Sequence, residues 1–198
     1  MELIQRVQDI LLKPKDSWPL IDQENTNTAT IYTTYLAYLA AIPALASFLG
    51  MSLIGASPFG MSVRVPIVSG LVSMVVGYGL SLAMVFVLAL VVDALAPTFG
   101  GTKSPINALK LVAYGSTAGF VGGVFALLPA LSALGLLASL YSIYLVYTGV
   151  PVLMKCPPDK AVAYTAVVMV CGFVAMAVMG VVSGVMLPSS GVHMGAVP

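Results

Sequence analysis

The chain has 198 residues, of which 60% are hydrophobic and only 8% are charged, whereas an average soluble domain carries about 25% charged residues. Its mean hydropathy is +1.05, so one small core could not hide the apolar surface, and a water-soluble globule is excluded. Eight basic and seven acidic residues leave a net charge of +1, which provides no basic field to hold a nucleic acid. The expected surroundings are a lipid bilayer.

The uncharged stretches predict five membrane-spanning helices, because a hydrocarbon core about 30 Å thick needs about 20 apolar residues of helix. We place them at about 31–54, 66–94, 107–128, 131–154 and 161–187. The third and fourth share one uncharged block, 111–154, which we expect to break at Pro129 because it is about twice as long as one crossing. The sequence therefore predicts an all-α polytopic membrane bundle over residues 31–187, followed by a mobile tail, 188–198.

The distribution of lysine and arginine predicts the orientation of the bundle, since short cytoplasmic loops hold the excess of these residues. With the N-terminus inside, only Arg64 lies on the far side of the membrane. The basic residues on the cytoplasmic side are then Arg6, Lys13, Lys15, Lys103, Lys110, Lys155 and Lys160. We therefore expect five crossings, a cytoplasmic N-terminus and a C-terminus on the far side.

Residues 1–30 form a separate cytoplasmic segment in this interpretation. Apolar residues such as Leu3, Val7 and Ile10 recur in it with a helical period, which predicts an amphipathic helix. Trp18 follows, and a tryptophan beside an uncharged span is at home at the depth of the lipid headgroups. The favoured interpretation is an interfacial anchor that lies flat on the cytoplasmic face, and the alternative is a docking helix for a soluble partner.

Small residues recur at four-residue spacing on three predicted spans, a pattern typical of faces where membrane helices approach closely. These residues are Ser69, Ser73, Gly77 and Ser81 on the second span, Gly115, Gly119 and Gly123 on the third, and Gly180 and Gly184 on the fifth. We interpret them as helix-packing faces inside one bundle. Pairing between two copies of the chain is the alternative.

Asp93 is the one acidic residue of the second span, and a carboxylate inside a membrane is a functional candidate because burying its charge is expensive. Counted from Pro66, it lies about 40 Å along the helix, which exceeds the thickness of the hydrocarbon core. We therefore expect Asp93 near the cytoplasmic interface, in an ion pair with Lys103 or Lys110. A proton or cation site is the alternative.

Tyrosines form a second polar group. Tyr141 and Tyr144 share one face of the fourth span with Thr148. Tyr114 and Tyr164 lie near the cytoplasmic ends of the third and fifth spans. Facing inward, these hydroxyls would line a polar seam, whereas the plainer interpretation is an interfacial belt or a set of hydrogen bonds between helices.

The spacing of reactive residues gives no support for a metal site or a catalytic site. Cys156 has no second cysteine or histidine within one helical turn, and the methionines are scattered. His193 is the only histidine, and no serine and aspartate lie beside it in the arrangement of a catalytic triad. No glycine-rich phosphate-binding motif is present. We therefore expect neither an enzyme nor a cofactor.

Several short motifs occur in order along the chain: KPKDSWPLI, FGGTKSPINALKLVAYGS, LLPAL, LYSIYLVYTGVPVLMK and PPDKAVAYT. With these motifs the chain resembles the Yip family of polytopic membrane proteins, in its bacterial branch, over about residues 3–185. The resemblance implies five membrane helices, a cytoplasmic N-terminus and a place in the bacterial inner membrane. For eukaryotic members it implies binding of Rab-type GTPases and a role in vesicle formation.

The chain departs from the family pattern in two places. Eukaryotic members carry a long cytoplasmic N-terminal region with an acidic-Leu-Tyr-Gly-Pro motif, which the segment before the first span lacks, so GTPase binding is not transferred. Bacterial members often have a proline soon after a Tyr-Ser pair in the third helix, whereas Tyr114 is followed here by Gly-Ser-Thr-Ala and no kink is expected. The resemblance transfers a cytoplasmic-side cluster consisting of Asp93, Lys103, Lys110, Tyr114, Lys155, Lys160 and Tyr164.

Two functions are compatible with these patterns. The leading one is a non-enzymatic integral membrane protein that organises membrane or partner proteins, with the lipid bilayer as partner and a homo-oligomer or a cytoplasmic protein left open. The alternative is a small transporter or channel for an ion or small solute. A transporter needs a polar cavity at membrane depth around Asp93 and at least two tyrosines, whereas an organising protein needs a filled bundle.

Overall fold

The computed structural model of the chain describes residues 3–55, 61–128, 131–186 and 193–196. Five helices within these ranges are long and apolar enough to cross a membrane. They are Thr28–Ile54, Ile67–Phe99, Pro105–Leu127, Ala133–Leu153 and Pro158–Val178. The predicted all-α membrane bundle of five spans is confirmed.

The helices follow one another in chain order. Two short helices, α1 (Leu3–Leu12) and α2 (Pro14–Gln23), precede the first span. The first span contains α3 (Thr28–Ile31), a π-helical turn (Tyr32–Leu36), α4 (Ala37–Phe48) and a second π-helical turn (Leu49–Ile54). The second span is α5 (Ile67–Leu95) with a 3₁₀ extension, Ala96–Phe99, and the fourth and fifth are α8 (Ser132–Leu153) and α9 (Pro158–Met186).

The third span is broken, which corrects the expectation of a helix without a kink. α6 (Pro105–Gly115) and α7 (Thr117–Gly122) are separated by a turn at Ser116, and a 3₁₀ segment, Gly123–Leu127, follows. Oγ1 of Thr117 donates a 2.6 Å hydrogen bond to the carbonyl of Tyr114. A side-chain hydroxyl that bonds a nearby carbonyl competes with the helical hydrogen-bond pattern, so a break needs no proline here.

Two extended segments pair antiparallel, β1 (Met61–Arg64) with β2 (His193–Ala196). Each segment supplies backbone donors and acceptors that the other needs. The four residues described there do not test the mobile tail over 188–198, which stays a prediction. The rest of the predicted tail, and the expected break at Pro129, lie outside the described residues.

The core lies towards one end of the bundle, where the loops 100–104 and 154–157 connect the spans. We call it the basic end, because Lys103, Lys155 and Lys160 lie there. α6 is the most enclosed helix, since every residue from Ala108 to Gly115 is buried between α3, α5 and α8. By contrast, α5 and α9 expose many apolar side chains, as helices in contact with lipid do.

Candidate functional site: a polar cluster at the basic end

The N-terminal helices pack against the bundle. α2 lies against α8, and α1 lies against α7. Oη of Tyr141, on α8, donates a 2.8 Å hydrogen bond to the carbonyl of Leu11, near the junction of α1 and α2. These contacts place the two helices beside the third and fourth spans, and an interfacial anchor on the cytoplasmic face stays a prediction.

Trp18 holds α2 against α8. Its side chain is fully buried, and its indole Nε1 donates a 3.0 Å hydrogen bond to Oγ1 of Thr148. Gly149 leaves room for the ring, since a Cβ there would lie 2.8 Å from Cε2 of the indole. Because Thr148 satisfies the indole N–H, the ring is buried between α2 and α8, and its position at the depth of the headgroups stays a prediction.

Lys110 is buried at the end of α2. Its side chain is 2% exposed, and Nζ donates hydrogen bonds of 2.8 Å to the carbonyl of Ile21 and 2.7 Å to the carbonyl of Glu24. Carbonyls at the C-terminus of a helix carry partial negative charge, which stabilises an ammonium group. Lys110 therefore binds the N-terminal segment, and the ion pair that we expected between Lys110 and Asp93 is not formed.

Asp22 connects the end of α2 to the basic end. Its carboxylate forms an ion pair with Lys155 and accepts a 3.2 Å hydrogen bond from Nδ2 of Asn107. The same amide nitrogen donates a 3.1 Å hydrogen bond to the carbonyl of Leu153, at the end of α8. Asn107 thus joins α2, α6 and α8 at one point.

Arg6 of α1 also contacts the end of α2. Its guanidinium forms an ion pair with Glu24, and its Cζ lies 5.7 Å from the ring centroid of Tyr114, within the range of a cation–π interaction. The Tyr114 ring meets the Tyr35 ring edge-on, with centroids 4.7 Å apart. We call Arg6, Glu24, Tyr35, Lys110 and Tyr114 the polar cluster.

A cavity of about 360 Å³ opens beside the polar cluster, between α1 and the first span. Arg6, Glu24, Tyr35 and Tyr114 line it, together with hydroxyl-bearing residues of the first span. A second cavity, of about 380 Å³, lies between α4 and α5 and is mainly apolar. It is lined in part by the small residues of the second span, Ser73, Gly77 and Ser81.

Asp93 and Tyr164 belong to a separate group on α5 and α9. Oη of Tyr164 donates to the carbonyl of Val92, and its ring stacks on Phe99 with centroids 4.9 Å apart. Asp93 has no ion pair within the described part of the chain, and its Oδ1 is buried without a hydrogen-bond partner. The other expected partner, Lys103, is exposed in the loop.

Cys156 also belongs to this second group and lies at the basic end. Its thiol is buried and donates a 3.4 Å hydrogen bond to the carbonyl of Phe99. Burial raises the pKa of the Cys156 thiol, and the negative charge of nearby Asp159 raises this pKa further. Lys160, beside Asp159, is exposed.

The predicted cluster is therefore divided. Lys110 and Tyr114 lie in the polar cluster, and Lys155 pairs with Asp22 near it. Asp93 and Tyr164 lie together elsewhere, while Lys103 and Lys160 are exposed. The tyrosines of the fourth span have different surroundings. Tyr141 donates a hydrogen bond to the N-terminal segment, whereas Tyr144 is 40% exposed.

The small-residue stripes differ in their surroundings. On the third span, a Cβ on Gly115 would lie 2.6 Å from Cγ2 of Val146, and the Gly119 N–H donates a 2.8 Å hydrogen bond to Oγ of Ser142. A Cβ on Gly123 would contact Pro43 of α4. A Cβ on Gly77 or Gly180 would have no atom within 4 Å. Ser69 is partly exposed, and the packing of Gly184 stays a prediction.

The sequence interpretation missed several residues of the site. They are Arg6, Asp22, Glu24, Tyr35, Asn107 and Thr117. One signal pointed to them, because Lys110 lies in an apolar stretch and a lysine there needs a partner. The acidic residues at the end of α2 are such partners, but the sequence does not give their distance from Lys110.

The arrangement brings charged and hydrogen-bonding side chains together. No group of three or more His, Cys, Asp or Glu residues that could hold a metal ion is found within the four described ranges. The charges that meet in the polar cluster are those of Arg6, Lys110 and Glu24. Their chemistry is suited to anion and ammonium recognition.

Comparisons with known proteins agree with this architecture. The chain is 25% identical over 180 residues to Inner membrane protein YohC of Escherichia coli strain K12, with 89% of this chain and 92% of the relative covered. The same values hold for YohC of Escherichia coli O6:H1 strain CFT073. No solved structure gives a significant match. The sequence profile of the Yip1 domain matches residues 9–179, and the chain, an integral membrane protein, therefore belongs to the Yip1 domain family.

Proposed function

We propose that the protein organises membrane or partner proteins in a bacterial inner membrane and catalyses no reaction. The inner membrane follows from its YohC relatives, and a cytoplasmic basic end follows from the distribution of lysine and arginine. The observation that carries the proposal is the packing of the N-terminal helices against the bundle. Trp18, Lys110 and Tyr141 all bind one part of the chain to another.

The N-terminal helices occupy hydrogen-bonding groups of the polar seam that a transporter would need. Tyr141 is engaged with α1, and Thr148 is engaged with α2. Neither of the two cavities described above is lined by Asp93, Tyr141 or Tyr144. The polar groups of the tyrosine-bearing face thus support the fold.

Exposed lysines lie at the basic end and at the junction of α1 and α2. The side chains of Lys13, Lys15, Lys103, Lys155 and Lys160 are exposed, and Lys155 also pairs with Asp22. Clustered lysines beside a membrane span attract anionic lipids and acidic protein surfaces. This exposed set is the surface through which we expect the protein to act, either on lipid or on a cytoplasmic partner.

A reconstitution experiment tests this function. The protein is placed in vesicles that contain anionic lipid, and proton and cation flux is measured together with the size and clustering of the vesicles. We expect no flux that depends on the protein, and protein-dependent clustering that falls when Lys13, Lys15, Lys103 and Lys160 are changed to Gln. Clustering that is unchanged in this variant would contradict a role for the exposed lysines.

One observation favours the alternative of a small transporter. Oδ1 of Asp93 and Oγ1 of Thr165 are both buried without hydrogen-bond partners. Unpaired oxygens of this kind are able to coordinate a cation. In the same vesicles, Asp93→Asn separates the two functions. A flux that the parent protein supports and the folded Asp93→Asn variant loses would replace the organising role with transport.

A further inference from the structure

The polar cavity beside α1 has the dimensions and charges of a ligand site. Its volume is about 360 Å³, and Arg6 and Glu24 face each other at its wall. The Arg6 side chain is only 11% exposed and that of Glu24 is 35% exposed. Charged groups held at this level of burial interact with a ligand more strongly than charges in open water do.

The one cationic side chain that lines the cavity, Arg6, favours a phosphate group. Arg6 and Glu24 together give the wall one positive and one negative charge. A guanidinium has five N–H donors in a planar fork that matches phosphate oxygens, and the bond to Glu24 leaves others free. Arg6 can therefore bind a phosphate without releasing Glu24.

The carboxylate of Glu24 adds a second requirement. A ligand with phosphate alone would place its negative charge beside this carboxylate, which is unfavourable. A ligand that also carries an ammonium group with N–H donors would satisfy the carboxylate and the hydroxyl groups of the wall. The pair of charges thus fits a zwitterion whose phosphate and amine are close together.

The position of the cavity suits a lipid. Thr30 and Thr34 line it, and Thr34 lies six residues into the first span, about 9 Å from its start at Thr28. A hydrocarbon core of about 30 Å, centred on this 27-residue span of about 40 Å, leaves about 5 Å at each end, so the cavity extends from the headgroup level to the first part of the acyl chains. Leu3 and Ile31 add apolar surface to the same wall.

We propose that this cavity binds the phosphoethanolamine headgroup of a membrane phospholipid. The phosphate diester contacts Arg6, and the ammonium group donates to the carboxylate of Glu24. The assignment does not rest on the organising role, since a bound lipid is compatible with either function and is measured without reference to it.

Lipid titration followed by native mass spectrometry tests the proposal on the full chain in detergent. The lipids are phosphatidylethanolamine, phosphatidylcholine and phosphatidylglycerol with the same acyl chains. We expect at least tenfold tighter binding of phosphatidylethanolamine, because choline has no N–H donor and glycerol has no positive charge. Equal binding of the three lipids by the parent protein would overturn the proposal.

Substitutions test the two charges and the volume of the cavity separately. Arg6→Gln should weaken phosphatidylethanolamine binding at least tenfold, and Glu24→Gln should weaken it while strengthening phosphatidylglycerol binding. Thr34→Phe fills the cavity and leaves the ion pair intact, so it tests the site even if Arg6→Gln does not fold. Asp16→Asn, which removes an exposed carboxylate outside the cavity, is the matched control for Glu24→Gln and should bind the three lipids as the parent does.

Two results would overturn the assignment. One is a folded Thr34→Phe variant that binds phosphatidylethanolamine as tightly as the parent protein. The other concerns the source of the headgroup, and glycerophosphoethanolamine is the probe for it. If this soluble compound competes at the same concentration as the lipid, the ligand is a free phosphodiester and not a membrane lipid.

Discussion

The indole Nε1 of Trp18 lies 3.0 Å from Oγ1 of Thr148 and donates a hydrogen bond to it across 130 positions of the sequence. The ring itself is completely buried. Because α2 supplies this side chain and α8 supplies its acceptor, the N-terminal segment is part of the folded bundle. Its removal is therefore expected to change the stability of the membrane spans.

Truncation of Trp18 should reveal this coupling. Trp18→Ala leaves a cavity where a large aromatic ring was buried, and such changes destabilise proteins by about 3–5 kcal/mol. Thr148→Val removes the hydroxyl that accepts this bond and donates to the carbonyl of Leu145, and it should destabilise the protein by about 1–3 kcal/mol. Thermal unfolding in detergent measures both effects.

The control for Trp18 is Leu20→Ala on the same helix, where the side chain is 57% exposed. We expect its melting temperature to stay close to that of the parent. A Trp18→Ala variant that melts with the parent would mean that α2 does not pack on α8.

The contrast between Gly115 and Gly77 gives a second prediction. A Cβ on Gly115 would meet Cγ2 of Val146 at 2.6 Å, and a β-branched valine cannot easily move away. Gly115→Ala should therefore destabilise the bundle by about 1–3 kcal/mol through overpacking. Unfolding in detergent provides the measurement.

Gly77→Ala is the matched control, because a Cβ there would have no atom within 4 Å and alanine favours the helix more than glycine does. Its stability should equal that of the parent or exceed it slightly. The reverse order of the two variants would show that the third span does not pack as described.

Cys156 should become reactive at a higher pH than an exposed cysteine does. Burial raises the pKa of its thiol, so the reactive thiolate is scarcer at any given pH than for an exposed cysteine. In a Cys171→Ser background, labelling by a water-soluble maleimide should be slow at neutral pH and should rise only in more alkaline solution. A cysteine at exposed Lys103, with Cys156 replaced, should react at lower pH. Equal pH profiles would contradict the burial of Cys156.

The sequence was sufficient to predict the five spans. The thickness of a bilayer sets the length of a membrane-spanning helix, and uncharged stretches of that length are visible in the sequence. The boundaries of α5 and α8 agree with the predicted ones to within a few residues. The packing of α1 and α2 could not be predicted in the same way. Amphipathicity identifies an apolar face, but a headgroup layer and a protein groove can both cover it.

The candidate site shows the same limit. Lys110 and Tyr114 were selected from their position near the end of a span, and they do lie in the polar cluster. Their partners Arg6 and Glu24 come from a segment whose contacts depend on tertiary packing. Asp93 was assigned to a lysine because opposite charges attract, whereas Lys110 is held by carbonyl groups of α2.

Cysteine labelling tests the predicted orientation. Single cysteines at Ser62, Lys103 and Ser190, in a background without Cys156 and Cys171, are exposed to an impermeant reagent in sealed cells. With the basic end in the cytoplasm, positions 62 and 190 should react, and position 103 should react only after the cells are opened. Labelling of position 103 in sealed cells would reverse the orientation.

Replacement of Lys110 should release the end of α2. Lys110→Met leaves the carbonyls of Ile21 and Glu24 without the ammonium group that binds them, and an unsatisfied buried polar group costs about 1–3 kcal/mol. Trp18, the only tryptophan in the chain, reports the release through its fluorescence. Because iodide stays in water, it should quench Trp18 weakly in the parent protein and more strongly in Lys110→Met.

Lys103→Met is the control for this prediction, since it removes an exposed lysine of the same charge at the basic end. Its quenching and melting should match those of the parent. Lys110→Arg retains a positive donor and should retain more of the protection of Trp18 than Lys110→Met does. If Lys110→Met and Lys103→Met show the same quenching, the contact between Lys110 and α2 does not hold the N-terminal helices in place.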